Sequence, residues 1–427
     1  MAVIKPFRGI RFNENVSGDP GSNICPPFDA ITPELYSSLY ERSPYNIVRL
    51  ELVREDYSDR SYDQAAITQK KWLESDILVR DDKPSIYVTE EKFIFEGNSF
   101  NRLGLISAVR LEEYDSKIIL PHENTRSEWV DDRVKLMEKV NANYSPLLLL
   151  FRDDLRNTVG AILRAVSGGK ADAIYKAEDM PEIRLWRITD KGTIEVLSSV
   201  LKDSQLYIAD GHHRYEAALR YRGGIRSHRE ILSSESINYR IMLLVSIDQP
   251  GLITRGYHRL IHGISVKQGN EILDILKNKC TLHDWEGTNA KSTSDFIDLL
   301  GKRVDDEVYF GLYGPQVGRF RVVKAKDKMR NKNDLYKSEY SWVQREIFSK
   351  IFENEDGAKY INPVYEAEEV VKSVDTGNGY LGVLMRPTNI DEFVSIVTRG
   401  WRLPAKATNF FPKPPAGMVM QNLYGDL

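Results

Sequence analysis

Apolar residues along the chain recur with two periods, and the switch between them predicts alternating strands and helices. In the stretch 206–222, LYIADGHHRYEAALRYR, a short apolar run meets Asp210-Gly211; Tyr215, Ala218, Leu219 and Arg222 then recur at helical spacing. The same strand, loop, helix order is expected from KIILPHENT (117–125) into SEWVDDRVKLMEKVNAN (127–143), with Thr125 as a helix cap, and SPLLLLF (145–151) follows as a buried strand. Nearer the start, ITPELYSSLYERS (31–43) predicts a helix capped by Thr32 with Pro33 in its first turn, and SYDQAAITQKKWLESDIL (61–78) a longer one. SIYVTEEKFIF (85–95), the turn EGNS and RLGLISAVRLEEY (102–114) predict a hairpin.

TIEVLSSVLKDS (193–204) predicts another helix, Gly223-Gly224 a helix stop, and NYRIMLLVSID (238–248) a strand. Beyond residue 265 the α/β character continues through KQGNEILDILKNK, DFIDLLGKR, VYFGLY and SWVQREIFSKIF, with no histidine after His283. The last stretch, RLPAKATNFFPKPPAGMVMQNL (402–423), is rich in proline and aromatics and predicts extended chain laid across the surface or into a cleft. No internal repeat or low-complexity segment interrupts the pattern. The expected organisation is an N-terminal α/β region (1–110) contributing to a core, a core region (111–265), and a C-terminal α/β region (266–427).

Composition narrows the classes. The chain has 427 residues, long enough for two or three domains, and 59 basic against 62 acidic side chains give a net charge of −3. Such a balance, without a basic stripe or helix-turn-helix, argues against direct nucleic-acid binding and against an acidic membrane surface. The two cysteines, Cys25 and Cys280, are far apart and in no metal-binding spacing. The opening MAVIKPFRGIRFN has no signal-like apolar run, and LLLLF is too short to span a bilayer, so a cytoplasmic protein is expected. The oligomeric state is left open.

Candidate chemistry concentrates in two places. At 210–214, Gly211 lets the backbone approach a bound group, and a helix start opening His212-His213-Arg214 offers N–H groups and dipole to an anion. Asp210 is expected to cap the helix or to receive a metal or hydroxyl, and Arg214 to clamp a phosphate or carboxylate. Read singly, these are solvated first-turn residues and a surface ion pair. Five polar or permissive residues in succession at a strand-to-helix junction weigh toward a site.

The second place is PHENTRSEWVDDR (121–133), where His122 and Glu123 follow an apolar strand. Glu123 suits a general base for a hydroxyl, or a Mg²⁺ ligand beside a polyphosphate; the plainer alternative is a solvated glutamate in a capped loop. Asp29, after two prolines in ICPPFDAI, is a turn residue or a site wall. Tyr257-His258-Arg259 offers a third basic group or a satisfied loop histidine, and KATNFFPKPP offers Lys406, Thr408 and Lys413, a lysine there reaching a phosphate as a point charge.

With ICPPFDAIT, HENT, the DR pair of DDR, NANYSPLLLLF, LYIADGHHRYEAAL and LPAKATNFFPK in hand, the chain resembles the prokaryotic family labelled domain of unknown function 1015. The loop ADGHHRYEAA is also similar to that of the ParB and sulfiredoxin superfamily, which includes nucleotide-dependent free serine kinases. This resemblance implies a mixed α+β fold, with a ParB/sulfiredoxin-like core and large N- and C-terminal elaborations. It further implies nucleotide and small-molecule binding, Mg²⁺, and ATP or ADP as phosphoryl donor. By the same resemblance Glu123 is the base, Asp210 the second acidic residue, and Gly211, His212, His213 and Arg214 the phosphate-binding group. The chain departs from the small kinases in the long stretch between Glu123 and Asp210. The expected function is phosphoryl transfer to the hydroxyl of a small metabolite, serine or a related hydroxy acid; the alternatives are a nucleotide-binding switch of ParB type and a phosphoester hydrolase.

Overall fold

Runs such as Leu147–Phe151 and the first four residues of Leu206–Asp210, apolar at successive positions, are buried on both faces and so lie within a layered sheet. The computed structural model describes residues 1–52, 62–153, 157–178, 180–284, 292–301, 308–326, 338–352 and 359–427. Ser61, Lys302 and Arg303, at the edges of two expected helices, lie outside them. The fold is mixed α+β, and the chain divides into two compact units. The first comprises residues 1–121, 125–253 and 412–427; the second comprises 122–124 and 254–411. The chain therefore enters and leaves the second unit twice instead of running through three consecutive regions.

The first unit is built on a nine-stranded mixed sheet. Its path runs through Ile119–Leu120, Leu206–Asp210, Leu147–Phe151, Tyr239–Ser246, Asn98–Arg110, Ile86–Phe95, Glu182–Ile188 and Ala173–Tyr175, and Ile4–Lys5 pairs with Asn98–Arg110. The expected hairpin is present, turning at Glu96 and Gly97, both with positive φ as a tight hairpin turn requires. One face carries Ile86, Val88, Leu105, Leu147, Leu149, Ile208 and Met242, and the helices Asn157–Val166, Lys191–Ser199 and His212–Arg226 supply Ile162, Leu197, Tyr215 and Ala218 to the same core. A second core joins the N-terminal helices to Ser127–Val140 through Tyr36, Leu39, Trp72 and Leu136.

Residues 412–427, at the end of the C-terminal stretch, lie inside this unit. Ala416, Met418 and Val419 are fully buried, Cys25 and Ala416 exchange backbone hydrogen bonds, and Gln421–Asn422 pairs with Ala142–Asn143. Extended chain was expected there, and its prolines explain why it forms no longer strand.

Three local expectations are corrected. Thr32 caps Pro33–Arg42 as expected, but helix Ser127–Val140 starts from Arg126, not Thr125, with no side-chain cap. Helix His212–Arg226 is preceded by Gly211 in the left-handed conformation, so Asp210 ends the strand and does not cap the helix. The same helix runs through Gly223-Gly224 to Arg226, because burial of one face outweighs the roughly 1 kcal/mol cost of each glycine.

The second unit holds a six-stranded antiparallel sheet, in the order Cys280–Asp284, Arg319–Ala325, Tyr309–Gly314, Leu381–Leu384, His258–Ile261 and Ile361–Val364. Phe296, Leu300, Val370 and Val374 from two helices cover one face. Among the described residues no helix is long and apolar enough to cross a membrane.

Candidate functional site

The strand Leu206–Asp210 does not keep its period to the end. Tyr207 pairs with Leu150 and Ile208 with Leu149, but Asp210 pairs with Leu148, so the register slips by one residue at Ala209. Regular alternation would put Asp210 on the face of Ile208 and Leu149, inside the apolar core. The bulge turns it to the opposite face.

There Asp210 is buried and held by two cations. Arg214 Nη2 donates to Oδ2 at 2.6 Å, and Lys413 Nζ lies 2.6 Å from Oδ1. Lys413 is also 3.6 Å from Asp29 Oδ2, so the ICPPFD loop and the C-terminal tail reach the same carboxylate. The loop is fixed by Phe28, whose ring lies 6.1 Å from that of Trp129 and takes the Arg133 guanidinium at 4.2 Å.

Gly211 meets two demands at once. Its φ of +98° lies in the left-handed region, and a Cβ there would fall 2.6 Å from Leu147 Cδ2. The first intrahelical bond, Tyr215 N–H to the Gly211 carbonyl, follows at once, and glycine supplies no side-chain cap. A helix start without a side-chain cap leaves its first-turn N–H groups and the positive end of its dipole unmatched by a capping side chain. His212 is buried. His213 Nε2 accepts the backbone N–H of Arg126 at 3.0 Å, which puts the proton of a neutral ring on Nδ1, and its ring lies 5.0 Å from Trp129.

Arg214, expected as a phosphate clamp, is engaged within the protein. Its Nη1 donates to Ser145 Oγ and to the Pro146 carbonyl, and its Nη2 to Asp210, so both ends of the fork are engaged inside the protein. It positions Asp210. Lys413, offered by the sequence as a point charge, is the second cation on Asp210 and comes from the tail.

The donor set does not fit a Mg²⁺ held by the protein at Asp210. Each carboxylate oxygen already faces a cation, and Lys413 fills the position between Asp210 and Asp29 that a divalent ion would need.

The second unit gathers the other predicted residues. His122 is buried against the rings of Phe393 and Phe410, with Nε2 2.7 Å from Thr408 Oγ1, and its carbonyl accepts the Leu403 N–H. Glu123 Oε2 accepts the Lys406 N–H at 3.3 Å. Arg259 Nη2 donates to the carbonyls of Ala405 and Lys406, and Lys406 has a φ of +58°, a strained backbone for a lysine. HENT and LPAKATNFF, distant in sequence, are thus tied together by direct hydrogen bonds.

Burial pushes the Arg259 guanidinium below its usual range, opposed by Tyr340, Tyr257 and Glu123. His258 lies in a strand, not a loop. Its Nδ1 accepts the Met385 N–H, and burial, with Arg259 and Arg255 nearby, pushes it down to about 4, so it is neutral at pH 7 and adds no positive charge.

Sequence reading missed Ser145, Glu51 and Arg240. The signal for Arg240 was present, because a lone arginine in NYRIMLLVSID is costly in a strand buried on both faces unless it has a task.

The uncapped helix start, the bulge-turned carboxylate and its paired cations form a strand-to-helix candidate site in a mixed α+β protein. The chain belongs to the family described as protein of unknown function (DUF1015), whose model matches residues 4–353. That match ends before Lys406 and Lys413. No curated protein matches the chain. Among solved structures, it is similar to a conserved hypothetical protein from Pyrococcus furiosus, at 15% identity and a TM-score of 0.35, covering 70% of this chain and 91% of that one. A mutant free serine kinase in complex with ADP matches at 14% identity and a TM-score of 0.35, and a free serine kinase in complex with AMP at 14% and 0.32, each over 70% of this chain and 87% of the other. Scores of this size carry no argument about activity.

Proposed function

We propose that the protein is a nucleotide-dependent phosphotransferase acting on the hydroxyl of a small metabolite, with ATP or ADP as donor. The observation that carries this reading is the constellation at 210–214: a helix start opened by Gly211, next to a carboxylate bridged by Lys413 and Arg214. Phosphoryl transfer asks little covalent chemistry of a protein and depends on positioning and charge. In this proposal the phosphoryl oxygens face the helix start and the Lys413 ammonium, Asp210 orients that ammonium, and Arg214 holds Asp210 in place. Any Mg²⁺ arrives with the nucleotide's phosphates as part of the substrate.

Glu123 takes the role that the resemblance implies, accepting the proton of the acceptor hydroxyl while the phosphoryl group passes from the nucleotide's oxygen to the acceptor's. Serine or a related hydroxy acid is the proposed acceptor.

The test has two parts. A thermal-shift series with ATP, ADP and AMP, with and without Mg²⁺, reads binding, since a native-state ligand at 100 times its Kd adds about 2.7 kcal/mol. Transfer of labelled phosphate to serine then reads turnover. Asp210→Ala should weaken binding and turnover together, whereas Glu123→Ala should lose turnover and keep the nucleotide shift. Normal turnover in both variants overturns the assignment. Nucleotide binding without acceptor-dependent product would favour a switch of ParB type, and phosphate release from a phosphomonoester without nucleotide would favour a hydrolase.

A further inference from the structure

Behind the Asp210–Arg214 pair, within the first unit, lies a cavity of about 20 Å³ bordered by Glu51, Arg133, Tyr144, Ser145, Arg214 and Arg240. Three arginines converge on it, each at least nine-tenths buried. Arg133 is paired with Asp132 and donates to the Glu51 carbonyl, and Arg214 is paired with Asp210. Arg240 has no carboxylate hydrogen-bonded to it among the described residues. Its Nη2 donates to the Ser145 carbonyl at 2.9 Å, while its Nε and Nη1 are buried without an acceptor, as is Nε of Arg214. The Glu51 carboxylate is turned to Ser145 Oγ, at 3.0 Å.

A buried guanidinium with two unmatched N–H groups is a costly arrangement, because each lost hydrogen bond opposes folding and the attraction of the Glu51 carboxylate offsets only part of the charge. Burial, with Arg214 and Arg133 repelling and Glu51 attracting, pushes Arg240 down to about 9. Water in the cavity would satisfy the N–H groups but would leave the charge in place. An anion supplies both.

We infer that this cavity is a binding site for a single monatomic anion of the chloride class, held by Arg240 Nε and Nη1 and by Arg214 Nε. Size selects the class: about 20 Å³ admits one or two water-sized atoms, too few for the five heavy atoms of phosphate or sulfate. The ion completes the shell of the guanidinium that positions Asp210, so its occupancy fixes that carboxylate from behind. The site is independent of any nucleotide, and no part of the phosphotransfer proposal is needed for it.

The experiment compares chloride with gluconate at one ionic strength, using the full chain. Tm should rise saturably with chloride, by ~2–6 °C, and likewise with bromide. Arg240→Met should abolish the halide-specific rise. Crystals of the unaltered protein soaked in bromide should show an anomalous peak among Arg240, Arg214 and Ser145, a readout that does not depend on the variant folding. Absence of both the halide-specific rise and the bromide peak overturns the site. So does a halide response that survives in Arg240→Met, or a phosphate response in place of the halide one.

Discussion

Lys413 sets its ammonium 2.6 Å from Asp210 Oδ1, on the side opposite to Arg214, so a residue of the C-terminal tail completes the charge balance of the central strand-to-helix turn. The pair is partly shielded, with Lys413 16% and Asp210 9% exposed at their side chains, so it is screened by salt far less than a surface pair. Lys413→Met should therefore abolish the nucleotide-induced thermal shift and cut turnover by about 10²–10³-fold, the usual cost of one preorganised charge. Lys413→Arg should retain part of both. Unchanged nucleotide affinity in Lys413→Met would remove this lysine from the site.

Gly211→Ala tests the turn itself. The added methyl meets a φ of +98° and the Leu147 side chain together, a strained backbone costing of order 1–3 kcal/mol plus overpacking of similar size. The expected outcome is a lower denaturation midpoint in urea at unchanged m-value. An unaltered midpoint would mean that the turn has an alternative conformation.

His258 gives the second unit a pH dependence. Its folded pKa of about 4 is below the ordinary 6.5, so the unfolded chain binds the extra proton first. The stabilisation is complete above pH 6.5 and is lost as pH falls toward 4, up to about 3 kcal/mol. Unfolding of His258→Asn, followed by calorimetry between pH 7 and 4, should fall less steeply than that of the unaltered protein. Parallel curves would contradict the shift.

Removal of residues 412–427 takes away the strand opposite Cys25 and Asn143 and the buried side chains of Met418 and Val419. A chain ending at Phe411 should show no cooperative transition for the first unit, whereas the milder Met418→Ala should cost about 2–5 kcal/mol. A truncated chain with an unshifted melting curve would show the tail to be dispensable.

Much of the helix and strand pattern was legible from period alone. The 206–222 switch, the LLLLF strand and the 85–110 hairpin follow from side chains that must alternate across a strand or return every third or fourth position on a helix. The misplaced details are those in which a tertiary contact overrode a local preference. Gly223-Gly224 stayed helical because neighbouring positions pack on the core, and Asp210 lost the cap position to Gly211 because the strand runs one residue further.

By itself, then, the sequence determined that a carboxylate, a glycine and a basic helix start follow one buried strand, since covalent order and local propensity suffice for that. It also marked Glu123, Asp29, Lys406 and Lys413 as chemically capable. Only the tertiary structure decided that Lys413 and Asp29 meet at Asp210, that Arg214 donates to Ser145, and that Arg240 is buried near it with two N–H groups lacking an acceptor. Those relationships depend on a one-residue bulge and on long-range pairing of the tail, and neither leaves a periodic trace in the chain.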